Sequence, residues 1–143
     1  MPAQNNDQGS EMPFYTLDDM REGSQKGNPT VSVHAAVGEF MKVAVVTKPE
    51  GKGPALHEHP NEEQWTLILE GQMHFILGDE DRIVGPGTIV HIPRNVKHRS
   101  RPVNGPATMF TVKSPAGSGA MDQDYNKAEG AEAAETSYPG TKR

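Results

Sequence analysis

The residues of this chain that can do chemistry together are His57-Glu58-His59, followed by Gln64 and, much later, by His98. In an extended strand, residues two apart point to the same side. His57 and His59 therefore project together, two strand rises or roughly 6.5 Å apart along the chain. Two neutral imidazoles so placed can share one divalent ion, which then needs one or two more ligands from elsewhere. Glu58, between them, points away.

Strands must hold these groups, and the chain is built for strands. It has 143 residues, enough for one domain, and 15 glycines and 12 prolines break it into short pieces. Turn signals recur every eight to twelve residues, the spacing of an all-β sandwich or barrel. Strands are predicted at 31–37, 40–47, 55–59, 63–69, 72–77, 82–84, 88–92, 98–101 and 107–114. Glu70-Gly71 reads as a tight reversal joining 63–69 and 72–77 in a hairpin. Residues 1–29 are polar and read as an N-terminal arm, with Met12–Met20 as a short packed piece. Residues 30–115 form the barrel. Residues 116–143 read as a flexible, solvated tail.

Composition narrows the function. The net charge of −5 argues against a nucleic-acid surface. No apolar run approaches a membrane span. The polar start is unlike a secretory leader, so a cytoplasmic protein is expected. There are no cysteines, which excludes disulfides and thiolate ligands.

Two stretches carry a resemblance. The first reads Gly51, five residues, His57-Glu58-His59, four residues, Gln64, six residues, Gly71. The second reads Gly87, five residues, Pro93-Arg94-Asn95, two residues, His98. In this order they resemble the two signatures of the cupin superfamily, with Gln64 where most members carry Glu. Asn95 stands at a usual glycine, and Asn tolerates positive φ. The resemblance covers about residues 30–115. It implies a jelly-roll β-barrel and metal ligands at His57, His59, Gln64 and His98. Glu63 rivals Gln64, although the two point to opposite faces of a regular strand. His91 is a second rival and completes a four-histidine site if it faces the cavity. His34 and His74 match no signature position and read as structural or exposed.

Three imidazoles and an amide are all neutral, so the ion keeps its full charge. It is then a stronger Lewis acid than one with a carboxylate ligand. Zinc is the first choice of ion, with manganese, iron or nickel as alternatives. His91 and Lys113 are the candidate proton-transfer groups. Met41, Trp65, Met73, Phe75, Met109 and Phe110 supply apolar surface, some of it for the pocket. Arg94, Lys97, Arg99 and Arg101 are expected at the rim or in solvent.

The ligand set is similar to that of pectin-degradation-type cupins, which act on unsaturated uronates. Thr111, Lys113 and about Gly117 stand where that group carries an Asp, an aromatic residue and an Arg. A second resemblance, to cupin-type aromatic polyketide cyclases, suits an apolar pocket with few charges. The leading expectation is therefore Lewis-acid chemistry on a keto or enol small molecule, most specifically polyketide cyclisation. A uronate isomerase or lyase, a metal-dependent dioxygenase and a non-catalytic ligand-binding cupin are the alternatives. Strands apolar on both sides, together with the resemblance, imply a homodimer.

Overall fold

A computed structural model describes residues 14–25 and 28–137. After a short 3-10 turn (Leu17–Asp19), nine strands and one short α-helix follow in order: β1 (Arg21–Gln25), β2 (Asn28–Val37), β3 (Lys42–Lys48), β4 (His57–Glu58), β5 (Glu63–Leu77), β6 (Glu80–Val84), β7 (Ile89–Ile92), β8 (His98–Ser114), β9 (Asn126–Lys127) and α1 (Ala131–Ser137). The pairings among the described residues are all antiparallel. Two long strands, β5 and β8, run beside each other and hold the sheet together. One half of it reads β1-β2-β3-β8-β5-β7, and the other reads β6-β5-β8-β4-β9. This is the all-β jelly-roll expected from the sequence. No helix among the described residues is long and apolar enough to cross a membrane.

The predicted hairpin at Glu70-Gly71 does not form. Glu63–Ile68 pairs with Met109–Ser114, and Gln72–Leu77 pairs with His98–Val103, so the chain bends and continues in the same direction. Gly71 has φ +80, and a Cβ there would run into the Pro106 carbonyl and Ala107. The glycine permits a close approach of β5 to β8 at an irregular register instead of a reversal. Asn104 (φ 62) and Gly105 (φ 120) make the matching bend in β8. For the same reason the strands predicted at 98–101 and 107–114 are one.

Residues opposite each other on paired strands share a face. One inward row runs Val37, Lys42, Lys113, Gln64, Ile92. The next runs Ala35, Ala44, Thr111, Thr66, Val90, and a third Val33, Val46, Met109, Ile68. The outward rows alternate with these: Val43, Val112, Trp65, His91, and then Val45, Phe110, Leu67, Ile89. The main core packs Val31, Val46, Ile68, Met73, Phe75, Ile92 and Met109. Trp65 and Met41, expected as possible pocket surface, are each 48% exposed on the outside.

Parts of both predicted end segments pack on the barrel. Arg21–Gln25 of the predicted arm pairs with β2 as an edge strand. Tyr15, Leu17 and Met20 line an outer groove with Val43, Val45 and Phe110. Residues 1–13 lie outside the described residues, so the start of the Met12–Met20 piece does too. At the other end, β9 pairs with β4. Ala128 and Ala131 pack with Leu56 in a second small core, against Ala55, Ile76 and Ala134. Their methyl side chains let the backbone approach closely, a use of alanine that composition alone reads as a solvated run.

Candidate metal centre

His57 and His98 sit directly opposite each other on β4 and β8. Their ring centroids are 4.2 Å apart, and the His59 ring lies 4.9 Å from His57 and 4.8 Å from His98. One nitrogen of each comes within 4.8 Å of the other two, which is the spacing of three ligands to one ion.

The orientation of each ring is set by the backbone. Nδ1 of His57 faces the Ala55 carbonyl at 2.7 Å, that of His59 the Asp124 carbonyl at 2.9 Å, and that of His98 the Val96 carbonyl at 2.9 Å. A carbonyl can only accept, so each Nδ1 carries the proton and each Nε2 keeps its lone pair. Burial pushes all three pKa values down, to about 2 for His57, about 4 for His59 and about 3 for His98. The imidazoles are therefore neutral near pH 7, as ligands must be.

Gln64 is oriented by two threonines. Its Nε2 donates to Thr66 Oγ1 at 3.1 Å and to Thr111 Oγ1 at 2.7 Å. Thr111 donates its own proton to the Trp65 carbonyl, and the two hydroxyls lie 2.9 Å apart. With the Thr111 proton used there, Thr66 donates to Thr111, and neither hydroxyl has a proton left for the amide oxygen. Gln64 Oε1, His59 Nε2 and His98 Nε2 are all buried acceptors with no hydrogen-bond partner among the described residues. Buried polar atoms are rarely left so. Neutral lone pairs in a histidine cluster fit a divalent metal ion.

His59 also stands within 4.8 Å of carboxylate oxygens of Glu62 and Asp124. Those two carboxylates already serve cations and amides of the fold. Glu62 pairs with the fully buried Lys42 at 2.7 Å, and Asp124 accepts from the Asn61 backbone N–H at 2.6 Å and its side-chain amide at 3.0 Å. Glu62 Oε1 is itself buried without a partner among the described residues, but Glu62 groups with His59 alone of the three rings, so the three imidazoles with Gln64 are the better-matched set.

A cavity of about 290 Å³ adjoins this cluster. His59, Gln64, Thr111, Lys113 and Tyr125 line it together with an apolar wall of Val33, Ala35, Val46 and Met109. Lys113 is 8% exposed, donates to the Met121 carbonyl at 2.6 Å, and burial lowers its pKa to about 8. Lys48 donates to the Ser100 carbonyl and hydroxyl, both at 3.0 Å, and burial lowers its pKa to about 7. The expectation of few charges around the pocket is thus corrected: Arg21, Glu22, Lys113 and Asp122 line it, and alternation places Lys42 and Lys48 on the same inward face.

His91 is not brought to the site. It pairs with Trp65 on an outward row, stacks on it at 4.3 Å and lies 2.6 Å from Glu63. The parity that turns Gln64 inward turns both of its rivals outward. Arg94 and Lys97 are exposed as expected, but Arg99 and Arg101 are buried, and Arg101 donates to the Pro54 carbonyl at 3.3 Å. Glu62, Asp124 and Tyr125 were not legible as site residues. Glu62 is one of the four unspecified residues between His59 and Gln64 in the first signature. Asp124 and Tyr125 belong to the predicted tail, and only an Asp-Tyr-Asn break in its small-residue composition marks them. The Tyr125 ring packs 4.8 Å from that of His57.

The sequence matches the Cupin domain family over residues 44–113, which contain all four proposed ligands. That span and the jelly-roll topology decide the family. The chain is a cupin. Solved cupins repeat its fold at low identity. KdgF from a Halomonas species is similar with a TM-score of 0.64 and 17% identity, over 73% of this chain and 94% of that one. An RmlC-like cupin from Shewanella frigidimarina has a TM-score of 0.66 and 15% identity, over 75% and 94%. Streptomyces PAC13, solved with uridine, has a TM-score of 0.65 and 16% identity, over 83% and 92%. No curated protein matches this cupin.

Proposed function

We propose that this cupin is a metal-dependent enzyme acting on small, enolisable carbonyl compounds. The observation that carries the reading is the set of unpartnered neutral acceptors, His59 Nε2, His98 Nε2 and Gln64 Oε1, beside a cavity that His59 and Gln64 line. A divalent ion held by His57, His59, His98 and Gln64, zinc before manganese, iron or nickel, would supply Lewis acidity that polarises a carbonyl and acidifies the neighbouring C–H. Thr66 and Thr111 hold the Gln64 amide nitrogen and so leave its oxygen free. Lys113 is the proton-transfer group, since its lowered pKa of about 8 keeps both of its forms accessible near neutrality. Val33, Ala35, Val46 and Met109 receive the carbon skeleton.

Polyketide cyclisation is the most specific form of this reading, and the apolar wall supports it. A uronate-type acid is the second form, favoured by the buried Lys113 and by the likeness to KdgF. The test common to both is hydrogen–deuterium exchange at the central carbon of acetylacetone, followed by NMR. Zinc-loaded protein is expected to speed it roughly a hundredfold, and Lys113→Met to lose most of that gain. No acceleration with any divalent ion would leave only the ligand-binding reading. Oxygen consumption with iron would favour the dioxygenase.

A second copy of this chain is the proposed partner for the outward rows of Trp65, Leu67, Phe110 and Ile89. Light scattering on the purified protein is expected to give twice the mass of one chain, and Trp65→Glu to shift it to one.

A further inference from the structure

The inward row that holds Gln64 also holds two buried lysines, of which only one has a carboxylate at hydrogen-bond distance among the described residues. Lys42 and Lys113 stand directly opposite each other, 0% and 8% exposed. Burying an ammonium group is costly unless an anion accompanies it. Glu62 does so for Lys42. Asp122 and Asp124 also act on Lys113 through space, but Asp124 is held by Asn61 and neither hydrogen-bonds to Lys113 among the described residues. Among the described residues Lys113 has for its hydrogen bond only a backbone carbonyl, that of Met121.

That carbonyl belongs to a strap. Three consecutive residues of the loop after β8 each give their carbonyl to a cation: Gly119 to Arg21 at 3.2 Å, Ala120 to Lys42 at 2.6 Å and Met121 to Lys113 at 2.6 Å. Gly119 has φ +92, and a Cβ there would crowd Arg21 and Val37, so the strap lies tight against the barrel. The same three residues line the cavity alongside Lys113, Gln64 and His59. A carbonyl offers an ammonium group a dipole, whereas a carboxylate offers a full charge and a bond roughly twice as strong.

We propose that Lys113, backed by Lys42, is the anchor for a carboxylate of the substrate, and that the carbonyls of residues 119–121 hold that place until the substrate displaces them. This rests on the reading of the site as one for enolisable carbonyl compounds, and it specifies their class as keto acids. The roles of Lys113 are compatible. The neutral amine offers its lone pair to the C–H proton and keeps two N–H donors for the carboxylate, and the ammonium that forms pairs with that carboxylate.

The test uses acetopyruvate, a diketone that carries a carboxylate, and its neutral methyl ester. Calorimetric titration of each into zinc-loaded and metal-free protein reads the affinity without turnover. The acid is expected to bind about tenfold more tightly than the ester in both forms. Lys113→Gln is expected to erase that difference by weakening the acid, with its circular dichroism that of the parent. Equal affinities in the unaltered protein, or no binding of either compound, overturn the anchor without need of the variant. A preference that survives Lys113→Gln overturns the assignment to Lys113. Failure of the Lewis-acid reading looks different: neither compound exchanges its central hydrogens faster with zinc, while the metal-free protein still prefers the acid.

Discussion

Replacing His98 with Ala empties the metal centre. After dialysis against a weak chelator, elemental analysis is expected to find about one divalent ion per chain in the parent and less than about a tenth in His98→Ala or His57→Ala. The reason is geometric. The cluster is formed by three rings, and His57 and His98 are a cross-strand pair whose Nδ1 atoms are tied to backbone carbonyls. Removing either ring leaves two imidazoles and an amide. The nearest carboxylates, Glu62 and Asp124, are engaged by Lys42 and Asn61 and do not replace the lost ring. His91→Ala and Glu63→Ala are the controls, because both side chains lie on the outer face. They are expected to retain the ion. Gln64→Ala should weaken retention without abolishing it. Stoichiometric metal in both His57→Ala and His98→Ala would show that the ion sits elsewhere.

The metal-free protein is expected to gain stability steadily from pH 5 to pH 9. The three site imidazoles have pKa values of about 2, 4 and 3 in the fold, against an ordinary value near 6.5. Below pH 6.5 the unfolded chain takes up protons that the folded chain refuses, so stability is lost as the pH falls. Between pH 6.5 and 5 each imidazole accounts for about 2 kcal/mol of that loss, a large fraction of an ordinary domain's stability once three are counted. Lys48 and Lys113 act in the same direction at higher pH. Their folded values of about 7 and 8 lie below the ordinary 10.5, so the unfolded chain again binds more protons, and stability rises between those limits. Thermal melting at pH 5, 7 and 9 reads the effect. A midpoint that stays level or falls across this range would mean that the imidazoles and amines are solvated in the folded protein.

The candidate site was largely legible because strand alternation is a local rule. His57, His59 and His98 are candidates by type and spacing, and parity sets Gln64 and Glu63 on opposite faces without saying which face is inward. His91 escaped the same rule because its parity depends on the register of β7 against β5, which pairs Trp65 with His91 and Gln64 with Ile92. Register is a property of two strands, and no single stretch of sequence states it. Gly71 was misread for a related reason. A glycine at a bend and a glycine at a reversal have the same local signature, and only the closeness of Ala107 distinguishes them.

What the sequence determined by itself was the family of folds and the set of residues that could do chemistry together. Alternation, turn residues and the spacing of three histidines and a glutamine are set along the chain, so they survive without knowledge of what packs on what. The tertiary structure alone decided the charge and the cover of the pocket. Lys42 and Lys113 are far apart in the chain and meet only because β3 and β8 are neighbours. The strap at 119–121 and the packing of Ala128 and Ala131 close over residues from the first half of the chain. Burial and long-range pairing create those contacts, and neither is encoded in local periodicity.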